Sequence, residues 1–350
     1  MIFYMITQQE LAKILGVSQM TVSAILRGGA LAEKYRPELR QKVLETAAKL
    51  GYIRNEIALA VRNKHSNVLG FITQELSNGY SGLMMQGIVD AAAEHNHLVK
   101  AFSLFRGEEP TPEAFRIAGE NIADQCIGQR VTGVICHDVV FSEFLDVIAK
   151  KLDDNGIPLL LANANPRKFP VCHRVYSDMT QGGKLLFDYL HELNHERFAL
   201  VSSYGWSEHV RNMTESFVVH AELAGIPREN ILIKVADGSI HFKDIEEELL
   251  AFKPTAICAT SDFSALDIIT SLINRGYKVP EDFSVIGYGN LHFGKICCPA
   301  ITSLDDHLYH MGYRSAQLLF EHGCKKIKEC RTELIPLSIV KRESCMMYNK

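Results

Sequence analysis

The stretch GVSQMTVSAILRGG, residues 16–29, reads as a short helix held between two glycine-marked corners. Val22, Ile25 and Leu26 recur at helical spacing and can pack inward, which leaves Gln19, Met20, Ser23 and Ala24 on outer or flanking faces. Ser18 is placed to cap this helix, which should run to about Arg27. Upstream, Thr7-Gln8-Gln9-Glu10 fits a capping box, so an earlier helix should start at Gln8 with Leu11, Ile14 and Leu15 as its buried face. Gly16 can take the left-handed conformation that ends it, and Val17 plugs the corner. Two helices joined this tightly form a helix-turn-helix, whose second helix can enter a DNA major groove. Pro37 then opens a third helix, closed by Gly51 before Tyr52. A generic three-helix bundle is the competing reading; the small Ala12 and Gly16 and the polar tip weigh against it.

Charge supports a polyanion partner for this region alone. The 350-residue chain has a formal net charge of −4, yet residues 1–64 hold ten Lys/Arg against five acids, a balance of +5 that leaves −9 for the rest. With 47% hydrophobic and 22% charged residues the chain has material for two or three compact units and is not disordered. No apolar run approaches a membrane span, and MIFYMI lacks the length and basic flank of a signal peptide, so a soluble cytoplasmic protein without membrane partners is expected. Nine cysteines, an odd number that includes the adjacent Cys297 and Cys298, point to reduced thiols rather than a disulfide framework.

Beyond Ser66 the periodicity changes. The apolar runs VLGFI (68–72), VTGVI (131–135), IPLLL (157–161), FALVS (198–202), AICAT (256–260) and SVIGY (284–288) alternate with amphipathic helical stretches, the pattern of buried parallel strands with crossover helices.

The segments ELAKILGVSQMTVSAILRG and LRQKVLETAAKLGYIRNEIALAVRN resemble the DNA-binding headpiece and hinge of the LacI/GalR family of transcriptional regulators. The resemblance continues through SNGYSGLMMQGIVDAAAEHNH, PTAICATSDFSALDIITSLINRGYKVPEDFSVIGYGN and PAITSLDDHLYHMGYRSAQLLF, and so covers nearly the whole chain. It implies an all-α helix-turn-helix headpiece (1–51), a hinge (52–66) and an α/β periplasmic-binding-protein-like core (67–343) of two doubly wound parallel-sheet subdomains, followed by a tail (344–350). The first subdomain is expected over about 67–165 and 291–322, the second over about 166–290 and 323–343. It further implies a homodimeric regulator, repression being the expected sense, whose affinity for operator DNA answers to a small-molecule effector such as a sugar. No cofactor or metal is implied.

In the headpiece the resemblance puts base-reading side chains at Gln19, Met20 and Ala24, with Thr7, Ser18, Thr21, Ser23 and Arg27 as capping or phosphate-positioning groups. In the hinge it marks Asn55, Ala58 and Val61, the last where the family inserts a leucine into the minor groove, while Arg54 replaces the usual proline. Valine is shorter and β-branched, so a plain linker competes with a hinge helix.

Ligands of such sheets bind beyond the strands' carboxyl ends. That picks out Gln74, Asn78, Tyr80, Asp138 and Asn163 from the first half, and Ser203, Trp206, Ser261, Asp262, Tyr288 and Asn290 from the second. Two positions depart from the family: an arginine after Trp206 falls at Met213, with Arg211 two residues earlier, and an aspartate after the VIGY strand falls at Gly289; either Arg211 takes the arginine's role or the ligand lacks the usual hydroxyl pair.

One motif argues for a different class. His191-Glu192-Leu193-Asn194-His195 fits the zinc-peptidase pattern H-E-x-x-H, but the helix should be ending at Asn194, just before the FALVS strand. No phosphate loop, dinucleotide fingerprint or nucleophile elbow is present, and the chain is not expected to be an enzyme. A sensor of the same fold that has lost regulated DNA binding is the alternative to a regulator.

Overall fold

The computed structural model describes residues 6–54, 66–104, 111–139, 141–163, 173–203, 208–236, 241–325 and 329–349. It divides into two units, Met1–Lys64 and His65–Lys350. No helix among the described residues is long and apolar enough to cross a membrane.

The first unit is helical: α1 (Gln8–Leu15), α2 (Gln19–Arg27), the short α3 (Gly29–Ala32) and α4 (Pro37–Lys49). Thr7 and Glu10 complete the capping box, and Gly16, at φ +67°, turns the chain out of α1. Leu11, Val22, Ile25, Val43 and Ala47 form the core. Tyr52 packs against it, and its hydroxyl accepts from Gln8 Nε2 at 2.9 Å, which ties the end of the unit to its beginning. Ile14 is 59% exposed, contrary to expectation. It lies about 60° round the helix from Leu11, on the opposite side from Leu15, and so falls off the narrow stripe that a two-turn helix buries.

The second unit runs β1 (Val68–Thr73), α5 (Gly79–Glu94), β2 (Leu98–Ser103), α6 (Pro112–Gly128), β3 (Gly133–His137), α7 (Ser142–Asp154), β4 (Leu159–Ala162) and β5 (His173–Ser177). It continues with α8 (Met179–Glu192), β6 (Phe198–Ser202), α9 (Glu208–Leu223), β7 (Ile231–Val235), α10 (Phe242–Phe252), β8 (Ala256–Ala259), α11 (Asp262–Asn274), β9 (Ser284–Tyr288), β10 (Thr302–Asp305), α12 (Leu308–Lys325), β11 (Thr332–Ile335) and β12 (Ser338–Val340).

Two six-stranded sheets result, ordered β11-β5-β4-β3-β1-β2 and β12-β10-β9-β8-β6-β7. All neighbours are parallel except β10 and β12. Each sheet is buried on both faces, which is why its central strands read as unbroken apolar runs. In the first, Phe115, Ile122, Phe144 and Ile148 of α6 and α7 cover one side, and Met84, Ile88, Met311 and Leu319 of α5 and α12 the other. In the second, α8 and α9 face Phe198, Leu200 and Ile286, while α10 and α11 face Ala199, Val201 and Val285. Helices α5 and α12 meet almost backbone to backbone: a Cβ on Gly87 would lie 2.0 Å from the Tyr309 carbonyl oxygen, and one on Gly312 would lie 2.1 Å from that of Met84.

The chain passes between sheets after β5, after β10 and after β11. These crossings replace the expected ones near 165, 290 and 322. β5 belongs to the first sheet and β10 to the second, while α12 and β11 return to the first. The displaced strands are short and carry polar residues, HRVYS, TSLD and TELI, so they lack the apolar signal that marked the others. Nor is the stretch after 343 a loose tail throughout. Ser344 is fully buried, accepts from Thr302 N at 2.8 Å and donates to the Val285 carbonyl.

Candidate functional site

Two regions carry the expected functional side chains. In the headpiece, Ser18 Oγ accepts from Thr21 N at 3.0 Å and shares a 2.8 Å hydrogen bond with the Thr21 hydroxyl, so both hydroxyls secure the first turn of α2. The Thr7 hydroxyl and backbone N–H both donate to Glu10, a structural use of that residue. Gln19 is exposed and makes no hydrogen bond among the described residues; Met20 beside it is 80% exposed. The tip of α2 therefore offers one amide and one flexible apolar group to solvent. Arg27 donates to the Ser23 carbonyl at 3.2 Å and is exposed.

Ala24 is a correction. It is buried rather than presented, because a methyl group reaches one carbon from the backbone and its longer neighbours shield it. Asn55, Ala58 and Val61 lie outside the described residues, as does Trp206.

The second region lies where strand ends of the two sheets face each other. Asp138, Asn163 and Asn290 follow β3, β4 and β9 in the left-handed region, at φ +52°, +49° and +49°. Asp and Asn tolerate this conformation better than other side chains, so the corner residues are chosen by the backbone as well as by chemistry. Tyr80, on α5, reaches across to the second sheet. Its hydroxyl donates to the Tyr288 carbonyl at 2.9 Å and accepts from Asp262 N at 3.2 Å. The Tyr288 hydroxyl donates to Asp306 Oδ2 at 2.6 Å, and Asn163 Nδ2 donates to the same oxygen at 3.3 Å. Gln74 donates to the Asp138 carbonyl, and His209 Nε2 lies 2.6 Å from the Asn163 carbonyl oxygen.

Other expected residues sit at the right strand ends but are already committed. Asn78 caps α5 by accepting from Ser81 N at 2.8 Å. Asp262 accepts from Leu291 N and the Ser303 hydroxyl, both at 2.7 Å, and is fully buried. Asn290 is bound by Asp305 and Arg342. Ser261 caps α11, and Ser203 is buried. Arg211 does not join the group: it is exposed and shares a surface hollow with Glu208, Asn212 and Glu215. Met213 is part of the second core.

Electrostatics mark the same place. Part of Asp138 stays open to solvent, yet the surrounding protein and then the Asp306 charge push its carboxyl up to about 7. Burial raises Asp306 to about 6 and Asp262 to about 6, against the hydrogen bonds that each accepts. His137, buried at the end of β3, is pushed down to about 4 by desolvation and by His209, and is neutral at pH 7. Asp306, His137 and His209 were missed in the sequence. The run Leu304-Asp305-Asp306-His307 held the signal for Asp306, because carboxylates directly after a strand lie at its carboxyl end.

The zinc-peptidase pattern dissolves in the structure. His191 sits in the last turn of α8 and stacks on Phe187, while Asn194, at φ +63°, carries the chain away before His195. His195 is buried, 3.0 Å from the Thr255 hydroxyl and 3.1 Å from that of Ser284. No group of three or more metal-ligating side chains exists among the described residues.

Comparisons with known proteins agree on this architecture. Residues 187–345 match the periplasmic binding protein-like domain. The chain is 26% identical to the HTH-type transcriptional regulator DegA of Bacillus subtilis, over 98% of this chain and 99% of that one. It is 25% identical to the transcriptional repressor PurR of Mannheimia succiniciproducens, over 97% and 98%. Among solved structures, the lac repressor dimer bound to operator and the anti-inducer ONPF superposes with a TM-score of 0.81 at 22% identity, covering 98% of this chain and all of that one. The regulator CelR in complex with cellobiose superposes at 0.68 with 21% identity, covering 97% and 99%. The chain thus joins a helix-turn-helix headpiece to two doubly wound sheets, and is similar over nearly its whole length to transcriptional regulators of the DegA and PurR kind.

Proposed function

We propose that the chain is a sequence-specific DNA-binding repressor that acts in the cytoplasm, holds a pseudo-palindromic operator as a homodimer, and changes its operator affinity when a small molecule occupies the region between the two sheets. The observation that carries this reading is the tip of α2, where Gln19 and Met20 stand exposed, without a hydrogen-bond partner among the described residues, on a helix whose start is fixed by the Ser18 cap. A glutamine amide can bond adenine bidentately, and a methionine can pack on a thymine methyl. The +5 balance of residues 1–64 supplies the sequence-independent attraction to phosphates. The similar structures of the lac repressor, a dimer bound to operator, and of CelR, a complex with cellobiose, support the partners: operator DNA, a second copy, and an effector of carbohydrate size. An effector acts by binding one arrangement of the subdomains better than the other.

Selection of bound fragments from genomic DNA, followed by titration of salt against the recovered site, tests the reading. Affinity should fall steeply and linearly in log–log form, because several phosphates are neutralised. Failure to enrich any sequence, or a flat salt titration, overturns it.

A further inference from the structure

We infer that the effector carries a cationic amine, received by the carboxylates of Asp138 and Asp306 beside Tyr288; this rests on the effector reading above. Asp138 follows β3 of the first sheet and Asp306 follows β10 of the second, and no lysine or arginine pairs with either among the described residues. Asp306 is only 1% exposed. Its Oδ2 takes hydrogen bonds from Tyr288 and Asn163, while its Oδ1 is buried with no partner. A second orphan lies next to Asp138 in sequence: His137 is 3% exposed and its Nδ1 is also unpartnered. Native proteins seldom leave buried polar atoms unsatisfied; the orphaned Asp306 oxygen is an acceptor left for something else, and the His137 nitrogen is a second atom without a partner.

The charge of that something follows from the surroundings. Neither nearby histidine offsets the carboxylates, since burial lowers both His137 and His209 and leaves them neutral at pH 7. Arg211 stays outside. An anionic ligand would meet like charges beside the buried Asp306, and a neutral polyol would donate hydrogen bonds without offsetting the charge. A protonated amine does both, and the tyrosine ring beside it can add a cation–π contact. An amino sugar and a short polyamine share this chemistry.

The test uses full-length protein at pH 7 and two matched sets of probes: glucosamine, glucose and glucose 6-phosphate; then putrescine, butane-1,4-diol and succinate. The expected result is saturable thermal stabilisation by the amine of at least one set, not reproduced by its neutral or anionic partners. Its affinity should weaken at least about tenfold in Asp138→Asn or Asp306→Asn, in line with the loss of one charged hydrogen bond. Circular dichroism identifies which of these variants is folded. Equal binding of a neutral or anionic partner, or amine binding unchanged in both variants, overturns the cationic class and leaves the effector reading standing. Should neither amine bind while a low-molecular-weight cell extract still alters operator affinity, this inference fails alone; should the extract also do nothing, both fail.

Discussion

The ring of Tyr80 lies against Gly289 so closely that a Cβ there would come within 2.1 Å of Tyr80 Cε1. Gly289 also has φ +106°, where side chains are strained whatever the space. Tyr80 lies on α5, which packs on the first sheet, and Gly289 follows β9 of the second, so a missing side chain on one lets an aromatic ring of the other close the gap. Gly289→Ala should therefore cost about 2–4 kcal/mol, combining backbone strain with displacement of the ring. Adding Tyr80→Ala should recover part of the displacement cost in a double-mutant cycle of denaturant unfolding. Strict additivity would show that ring and glycine are not coupled.

Tyr80→Phe isolates the hydroxyl. The ring keeps its place over Gly289 and its stacked contact with Tyr288, with centroids 6.3 Å apart, but the Tyr288 carbonyl and Asp262 N–H each lose a partner. A loss of about 1–3 kcal/mol is expected, because both stranded groups sit in poorly solvated surroundings. Since the hydroxyl bridges the two sheets, the variant should also open more readily, seen as a larger radius of gyration in solution scattering. An unchanged stability and radius would remove the hydroxyl from any role in closure.

Asp306 gives stability a direction with pH. Its carboxyl stands at about 6 in the folded protein against an ordinary value of 3.8, raised first by burial and then by Asp305, with Tyr288 and Asn163 hydrogen bonds acting the other way. Between roughly pH 4 and 6 the unfolded chain has released this proton while the folded protein keeps it. Stability at this site is thus fully present below the lower value and lost as pH rises through the higher one. The melting temperature of Asp306→Asn relative to wild type should therefore climb from pH 4.5 to pH 7.5. Asp138 and Asp262 titrate in both proteins and largely cancel, although Asp138, freed of its neighbour's charge, should ionise at lower pH in the variant. A constant difference across this range would show that Asp306 ionises normally.

Legibility in the sequence followed burial. VLGFI, AICAT and SVIGY announce themselves because strands covered on both faces must be apolar throughout, and each is a central strand here. TSLD, equally buried, hides because Thr302 and Ser303 bury hydroxyls that find partners only in the folded chain: Arg342 N for one, Asp262 for the other. Missing that strand moved a subdomain boundary and concealed Asp306 at its end. Site residues divide in the same way. Position after a strand is readable for Asn78, Asp262 and Asn290, but not that a helix cap, a buried serine or Arg342 already claims each side chain. In the headpiece the cap residues were legible outright, since capping is local. Burial of Ala24 was not, because it depends on neighbours rather than on helical phase.

The two exposed positions on α2 separate reading from holding. Gln19 is exposed and makes no hydrogen bond among the described residues, so Gln19→Ala should leave the fold intact and relax preference at one position in each half-site by about 1–3 kcal/mol. Ser18→Ala removes the cap that Thr21 N donates to at 3.0 Å, and costs about 1 kcal/mol of headpiece stability. That loss should weaken binding to every sequence alike, because a frayed first turn mispositions both Gln19 and Met20. Competition binding against single-base variants of the selected site distinguishes the two patterns. If Gln19→Ala lowers affinity uniformly, as Ser18→Ala should, then Gln19 faces the phosphates rather than the bases. The reading side chain would then have to be Met20, whose apolar contact predicts sensitivity only to the presence of a thymine methyl, testable by replacing thymine with uracil at each position.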